Sequence, residues 1–214
     1  MNKTRYLRET YKQFCLTEGN QHIASEYAIL KLQELVERFN IKSVLEVGLG
    51  IGAIAASLLK LNKHLVYTGT EDNTFCLKSL PKNLGINYNK LEIFSRLKSL
   101  PHDTRYDLVI IDGRDINIEK VKSVITKHGI IAIEGDRSLQ QKTLQDLFPH
   151  QVNVHMISTG KNKDYSPFPA ENWQGGIKVI FVQPTVRQYI WLVKKKIFTK
   201  FKYLYRKRKS RKVS

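Results

Sequence analysis

A short segment near position 50 constrains the fold of this chain most strongly. Residues 43–47 are mainly apolar and β-branched apart from the acid Glu46, and Gly48, Gly50 and Gly52 follow at alternate positions. Glycine is needed where a backbone turns with positive φ or touches a bound molecule. We therefore interpret the segment as a buried strand that turns over a ligand. The alanine- and leucine-rich segment after it predicts a helix whose N-terminus faces that ligand.

The rest of the chain alternates predicted strands with predicted helices. Apolar runs bounded by turn residues predict strands at 43–47, 64–70, 91–94, 107–111, 130–134, 151–157 and 177–183. Helical spacing of apolar residues predicts helices at 24–39, 53–61, 73–80, 118–126 and 138–148, after a basic, partly helical lead-in at 1–16. We expect Asn40 to end the first of these helices, Asn73 to cap the third and Pro81 to stop it. Such alternation predicts right-handed βαβ units in a doubly wound, mostly parallel α/β sheet. The last two strands have no helix between them, so they should pair antiparallel at one edge.

Composition indicates one domain and a reducing environment. The 214 residues, 42% of them hydrophobic, are enough for one substantial core, which we expect at 1–184 with a helical lead-in over 1–40. Two distant cysteines, Cys15 and Cys76, argue against a disulfide framework and a structural zinc site. The N-terminus has no apolar signal core, and no apolar run approaches the ~20 residues that span a bilayer. We expect a cytoplasmic protein that is soluble or peripheral on the inner face of a membrane.

Acidic residues follow three of the predicted strands. Glu46 and Asp112 end the first and fourth strands, and Glu71 ends the second strand 21 residues beyond Gly50. In open α/β sheets a carboxylate about 20 residues past the glycines accepts hydrogen bonds from ribose hydroxyls. This spacing favours an adenosine ligand beyond the carboxyl ends of the strands.

A nicotinamide dinucleotide is the competing ligand. Gly48, Gly50 and Ala53 fit a relaxed GxGxxG/A pattern, which leaves an NAD-dependent oxidoreductase as a minor alternative. The carboxylate of Glu46, however, would lie where a pyrophosphate adds negative charge. It fits a ligand with a positive centre and an amino group better.

Four segments resemble motifs of class I S-adenosylmethionine-dependent methyltransferases. Residues 45–52 look like the first motif and residues 67–72 like the second, while 106–115 resemble the fourth-strand motif of small-molecule O-methyltransferases and 128–133 the segment leading into strand five. The resemblance covers about residues 17–183. It implies a Rossmann-like, seven-stranded sheet with an antiparallel edge strand, and S-adenosylmethionine as the cofactor.

The same resemblance implies the cofactor contacts. They are Glu46, Gly48, Gly50, Gly52, Glu71, Asp72, Ser95 and Asp112. In this scheme Glu46 and the glycines face the methionine part, Glu71 binds the ribose and Ser95 lies beside the adenine.

Two residues are candidates for the catalytic base. Asp112 is the first, because its strand-end position borders both ligands, and a purely cofactor or backbone contact is its alternative role. His22 is the second, because the loop before the first helix can fold over the pocket, and an ordinary residue at a helix start is its alternative role.

A metal site receives less support from the sequence. Asp112 and Asp136 could hold a hard cation, but residues 134–137 differ from the Asp-Asn pair of cation-dependent O-methyltransferases. The alternative is that Asp136 and Arg137 pair with each other or cap the next helix.

The acceptor is predicted to be a hydroxyl of a small molecule or glycan. The long loop at 158–176 carries Tyr165, Phe168 and Trp173 with two lysines, and such a loop is typical of a recognition segment. A mobile surface loop anchored by Trp173 is the other interpretation.

The C-terminal segment gives the chain its basic character. Of the formal charge of +17, twelve units lie in residues 185–214, which contain no acid, and +5 is left for residues 1–184. Apolar residues step by three or four from Val186 to Leu204, which predicts an amphipathic helix. Basic and aromatic residues around such a stripe indicate binding to an anionic membrane surface.

Two other interpretations of this C-terminal segment stay open, and binding of nucleic acid by the tail would imply a different class of function. The stripe could pack on the protein's own sheet while the tail binds RNA or DNA phosphates, or the helix could be solvated without a partner. The protein would then be a non-catalytic Rossmann-like module that delivers a basic tail to nucleic acid or to a partner protein.

Overall fold

One sheet forms the centre of the protein in this computed structural model, which describes residues 2–135 and 137–210. Its strands are β1 (Ser43–Val47), β2 (Val66–Thr70), β3 (Leu91–Phe94), β4 (Tyr106–Ile111), β5 (Ile125–Glu134), β6 (Val152–Ile157) and β7 (Gly176–Phe181). Their order across the sheet is β3-β2-β1-β4-β5-β7-β6. Strands β1 to β5 are parallel, and β7 runs antiparallel between β5 and β6. The predicted doubly wound sheet with an antiparallel pair at one edge is confirmed.

Helices cover both faces of the sheet. They are α1 (Lys3–Cys15), α2 (Glu26–Phe39), α3 (Ala53–Leu61), α4 (Thr74–Leu84), α5 (Val121–Val124), α6 (Ser138–Leu147) and α7 (Val186–Ser210). Short 3-10 turns lie at Asn20–His22, Gly85–Lys90, Leu97–Ser99 and Ile118–Lys120. Among the described helices, none combines the length and the apolar composition of a bilayer-spanning segment.

Two hydrophobic cores lie on opposite faces of the sheet. Successive side chains of a strand point to opposite faces, so Leu108 and Ile110 of β4 enter the core under α1 to α4 and α7. Val109 and Ile111 enter the other core, under α5 and α6. The apolar run from Leu108 to Ile111 suits this doubly covered location.

Capping residues fix three helix ends, of which those at Asn40 and Asn73 were predicted from the sequence. The Ser25 hydroxyl accepts a hydrogen bond from the backbone N–H of Ala28 at the start of α2, and Asn40 ends that helix with a left-handed φ of 53°. The Asn73 side chain accepts from the first backbone N–H groups of α4. These caps satisfy N–H groups that have no partner within the helix.

Two helix boundaries differ from the sequence expectation. Pro81 does not stop α4, which continues to Leu84, because Leu80 and Leu84 are buried against the turn at Gly52. This packing outweighs the hydrogen bond that a proline removes. The helix predicted over 118–126 is shorter, since Ile125 already begins β5 and pairs with Tyr106.

The last helix packs on the sheet edge with a mixed side that buries Trp191 and Leu192 among polar residues. Helix α7 contacts β6, while the apolar residues from Val186 to Leu204 that form its predicted stripe are exposed. The alternative that this stripe packs on the protein's own sheet is therefore wrong in this structure.

Candidate functional site

The glycine turn brings the ends of β1 and β4 into close contact. Gly48 has a φ of 86°, and a Cβ atom there would lie 2.4 Å from Cα of Gly113 after β4. Gly50 has a φ of 53°, and its missing side chain faces open space. At Gly52 a Cβ atom would meet Leu84 of α4 at 2.4 Å. The turn thus needs glycine for backbone conformation and for close packing, and it leaves room beside Gly50.

Backbone amides hold the carboxylate of Glu71 in one orientation. Its Oε2 accepts a hydrogen bond of 2.7 Å from the N–H of Gly50. Its Oε1 accepts from the N–H groups of Asp72 at 3.0 Å and Asn73 at 2.8 Å. A carboxylate has about four acceptor positions, so about one remains for a ligand hydroxyl.

A cavity of about 350 Å³ opens at the carboxyl ends of β1 to β4. Four of the predicted cofactor residues line it, namely Gly48, Glu71, Asp72 and Ser95. In doubly wound sheets ligands bind at this edge, where the strand order reverses. The structure therefore brings half of the predicted cofactor set to one cavity.

Other residues of the cavity wall had no role assigned from the sequence. The Arg96 guanidinium forms an ion pair with Asp72, with Nη2 3.2 Å from Oδ2, and both side chains are more than half exposed. Asp115 accepts hydrogen bonds from the N–H groups of Leu97 and Asn117, so it fixes the loop after β4. The only sequence signal for Arg96 is its position next to Ser95, just beyond a strand end.

Glu46 lies behind the cavity rather than in its wall. Only 1% of this residue is exposed, and the Tyr67 hydroxyl donates a hydrogen bond of 2.5 Å to its Oε2. Burial raises the pKa of Glu46 well above its ordinary value, and the negative charges of Asp112 and Glu71 add to this shift. Burial also raises the pKa of Tyr67. Sequence reasoning gave Tyr67 no role.

A second pair of acids lies at the ends of β4 and β5. The register pairs Ile111 with Ile133, so Asp112 and Glu134 follow side by side. Burial, and then the charge of Glu134, raise the pKa of Asp112 to about 8. Burial also raises the pKa of Glu134, although the N–H of Ser25 donates to its Oε1 at 3.1 Å. Glu134 was not among the predicted site residues.

Arg137 supplies positive charge beside this pair. Its Nη2 lies 3.9 Å from Oδ1 of Asp112 and also donates a hydrogen bond to the backbone carbonyl of Asp112. This attraction lowers the pKa of Asp112 and offsets part of the burial effect. The guanidinium thus places a positive charge beside the Asp112 carboxylate.

The metal site suggested by the sequence stays a prediction, and the described residues around Asp112 give it no support. Asp136, the second residue of the predicted metal pair, lies outside the described residues. Within residues 2–135 and 137–210 no cluster of three or more metal-ligating side chains occurs. The charge of Arg137 beside Asp112 would repel a hard cation.

His22 lies in the connection between α1 and α2, as the sequence predicts. It ends the 3-10 turn Asn20–His22, its side chain is exposed, and it lies outside the wall of the 350 Å³ cavity. Its role in catalysis stays a prediction.

The predicted acceptor loop is tied to two helices. The Tyr165 ring lies 6.4 Å from the Tyr11 ring of α1 in an edge contact, and Phe168 packs half-buried on the core. The Trp173 ring lies 5.1 Å from the guanidinium carbon of Arg206 in α7. None of the three aromatic residues lines the cavity beside Glu71. Their role in acceptor recognition stays a prediction, but the loop is anchored rather than free.

Solved structures share this fold at low sequence identity. One is the O-methyltransferase from Bacillus cereus in complex with SAH, with 13% identity, coverage of 85% of this chain and 91% of that chain, and a TM-score of 0.57. Another is the O-methyltransferase TomG from Streptomyces achromogenes in complex with SAM, with 11% identity, coverage of 86% and 90%, and a TM-score of 0.59. No protein-family model matches the chain, and no curated protein matches its sequence. The likeness establishes a fold of the class I O-methyltransferase type.

Proposed function

We propose that this protein transfers a methyl group from S-adenosylmethionine to a hydroxyl oxygen of a small molecule or glycan. The observation that carries the proposal is the joint position of Gly48, Glu71 and Ser95 in one cavity at the carboxyl edge of the sheet. The Glu71 carboxylate there is oriented by backbone amides and keeps an acceptor position for a ribose hydroxyl. The shared fold of the O-methyltransferases supports the same function.

The charge of the site favours this cofactor over a dinucleotide. Glu46, Asp112 and Glu134 are largely buried near one another, and each has a raised pKa. A ligand with a sulfonium and an ammonium group would relieve this clustering of acids. The pyrophosphate of NAD would increase it. The buried acids therefore match a cationic ligand.

Asp112 is the residue of the site best suited to remove the acceptor proton. S-adenosylmethionine, when bound, supplies a methyl group that is already activated, so positioning accounts for much of the catalysis. The raised pKa of Asp112, about 8, makes its carboxylate a stronger base at neutral pH than an ordinary aspartate. Arg137 places a positive charge beside this carboxylate. The hydroxyl proton would pass to Asp112, and S-adenosylmethionine would supply its methyl group to the acceptor oxygen, with the carbon–sulfur bond broken and neutral S-adenosylhomocysteine as the leaving group.

Calorimetric titration of the full chain with S-adenosylmethionine, S-adenosylhomocysteine and NADH tests the cofactor. We expect the two adenosyl ligands to bind and NADH not to bind. Glu71→Gln should weaken binding by about 10- to 100-fold, because a charge-assisted hydrogen bond to the ribose is lost. Glu119→Gln, which changes an exposed acid outside the cavity wall, is the matched control.

Each contrary result has a defined meaning. Absence of binding by both adenosyl ligands, with no effect of Glu71→Gln, would reject the methyltransferase function. Binding of NADH alone would favour an oxidoreductase.

Transfer of a labelled methyl group to fractionated cell extract tests activity and identifies the acceptor class. Label in a hydroxyl-bearing small molecule or glycan is the expected result. Tight cofactor binding without transfer to any fraction would favour a non-catalytic module, and label in nucleic acid would contradict the proposed acceptor.

A further inference from the structure

Helix α7 exposes its apolar side to solvent. The residues of this outer stripe are Val186, Ile190, Val193, Ile197, Phe201 and Leu204. Their exposed fractions range from 39% at Val193 to 78% at Val186. A surface helix normally turns its apolar stripe toward the core. Here every residue of the stripe is exposed instead.

The opposite side of α7 holds the helix in place at its C-terminal half through polar contacts. Lys202 Nζ donates hydrogen bonds to the Tyr27 hydroxyl at 3.2 Å and to the carbonyl of Ile157 at 3.0 Å. Arg206 Nε donates to the carbonyl of Ser158 at 2.6 Å, and its Nη2 donates to the carbonyl of Gln174 at 3.1 Å. These basic side chains point at the protein instead of at solvent.

Its N-terminal half is held by one aromatic anchor and one ion pair. The buried Trp191 ring packs at 5.7 Å from the Phe181 ring, and its Nε1 donates to Glu34 at 3.3 Å. Lys195 Nζ lies 2.6 Å from the same carboxylate. Rotation of α7 to bury the outer stripe would break the contacts of both halves. The exposure of the stripe is therefore built into the packing of the helix.

Basic and aromatic side chains surround the outer stripe. Residues 185–214 contain twelve lysines and arginines and no acid. The exposed lysines beside the stripe are Lys194, Lys196, Lys200 and Lys207. The exposed aromatic residues beside it are Tyr189, Phe198, Tyr203 and Tyr205. This combination of an apolar stripe, aromatic rings and flanking lysines is typical of helices that lie in a lipid interface.

We propose that the outer stripe of α7 docks on the surface of a bilayer that contains anionic phospholipids. The helix lies in the plane of the interface with the stripe in contact with the acyl chains. The flanking lysines pair with the headgroup phosphates. This surface goes beyond the proposed methyl transfer and does not depend on it.

Charge and chemistry favour lipid over other occupants. Contact between two copies through the stripe would bring two sets of lysines together without acids to neutralise them. Nucleic acid offers phosphates and base faces, but it has no counterpart for the aliphatic side chains Ile190, Val193 and Ile197. An anionic bilayer offers both an apolar phase and negative charge.

Co-sedimentation of the full chain with vesicles tests the proposal. Vesicles of phosphatidylcholine alone are compared with vesicles of phosphatidylcholine and phosphatidylserine. We expect wild type to sediment with the anionic vesicles only, and added salt to reduce the bound fraction. The double variant Ile197→Ser/Phe201→Ser should bind about tenfold or more weakly, because its stripe loses apolar area.

The variants are designed to leave the fold intact. Ile197 and Phe201 are 51% and 64% exposed, so their replacement removes few internal contacts. The double variant Leu16→Ser/Ile86→Ser changes two exposed apolar residues elsewhere, 71% and 79% exposed, and should bind vesicles like wild type. Thermal unfolding of each variant verifies folding.

Several results would overturn the proposal. One is that wild type stays in the supernatant when it is mixed with anionic vesicles. Another is that the stripe variant binds these vesicles as well as wild type does. Binding of single-stranded RNA by both proteins without vesicle binding would assign the segment to nucleic acid. A wild-type dimer that the stripe variant abolishes, again without vesicle binding, would assign the stripe to a second copy.

Discussion

The Tyr67 hydroxyl donates a hydrogen bond of 2.5 Å to Oε2 of Glu46, and both side chains are almost completely buried. An interior carboxyl group without a donor carries the full cost of its desolvation. The hydrogen bond from Tyr67 therefore stabilises the buried carboxyl group that the first strand places behind the cavity. Asp112 and Glu71, the acids whose charges disfavour ionisation of Glu46, belong to the same site.

Replacement of Tyr67 by Phe should lower the stability of the protein. Tyr67→Phe leaves Glu46 Oε2 without its donor, and we expect a loss of about 1–3 kcal/mol in the free energy of unfolding. Urea denaturation followed by circular dichroism measures the change. Tyr203→Phe removes the hydroxyl of an exposed tyrosine in α7 and should leave the stability unchanged. Equal stability of both variants and wild type would contradict the role of Tyr67.

Stability should fall as pH rises, in part because of Asp112. Its pKa rises from 3.8 to about 8 on folding. Between these values the unfolded chain has lost a proton that the folded protein keeps, so ionisation favours the unfolded state. One such group contributes a slope of at most about 1.4 kcal/mol per pH unit.

The variant Asp112→Asn isolates this contribution. Asparagine has no proton to lose, so the fall in stability from about pH 4 to 8 should be shallower than in wild type. Urea denaturation at a series of pH values measures both slopes. Asp103→Asn removes an exposed acid and should keep the wild-type slope. Identical slopes for all three proteins would show that Asp112 has an ordinary pKa.

Binding of S-adenosylmethionine should release protons. The positive ligand would lower the raised pKa values of Glu46, Asp112 and Glu134, so Asp112, with its pKa of about 8, would lose the proton that it holds near pH 7.5. Calorimetry in phosphate and in Tris, which differ in ionisation enthalpy, measures the number released. S-adenosylhomocysteine lacks the sulfonium charge and should release fewer protons. Equal release by both ligands would argue against contact between the sulfonium and the acids.

Methyl transfer should depend on the ionised form of Asp112. Once an acceptor is identified, kcat/KM for S-adenosylmethionine, which reports the enzyme before this ligand binds, should rise with pH and level above about pH 8, the pKa of Asp112. Asp112→Asn should reduce kcat by about 10²- to 10⁴-fold. The dissociation constant of S-adenosylmethionine, measured in parallel, separates a role of Asp112 as the base from a role in cofactor binding. Weaker cofactor binding with an unchanged kcat would assign Asp112 to the cofactor alone.

The sequence was sufficient for the framework of the site. The apolar run through Val47, the glycines after it and the 21-residue distance from Gly50 to Glu71 are local features. Parallel strands bring their carboxyl ends to one edge, so these features predict that Gly48 and Glu71 line one cavity, and the family resemblance added Ser95 to them. The same patterns gave the strands to within a few residues, except at the start of β5. Caps such as Asn73 were predictable because they act within four residues.

Contacts between distant residues were decided by the tertiary structure. Nothing in the sequence links Tyr67 to Glu46, or Ser25 to Glu134, since each pair depends on which strands and helices become neighbours. Pro81 stayed within α4 because Leu84 packs on the glycine turn. The presence of a proline in the sequence cannot indicate this contact between distant residues.

The orientation of α7 shows the same division most clearly. Its periodicity determined by itself that one side of the helix is apolar and that basic residues flank it. Only the folded protein decided which side is buried. The core accepts Trp191 and Leu192, and Glu34 and the carbonyls of Ile157 and Ser158 accept the charged groups of Lys195, Lys202 and Arg206. The helix therefore docks through this mixed side, and the apolar stripe faces outward. The orientation of a helix depends on the groups of the other elements that it packs against. The periodicity of the helix's own residues carries no information about those groups.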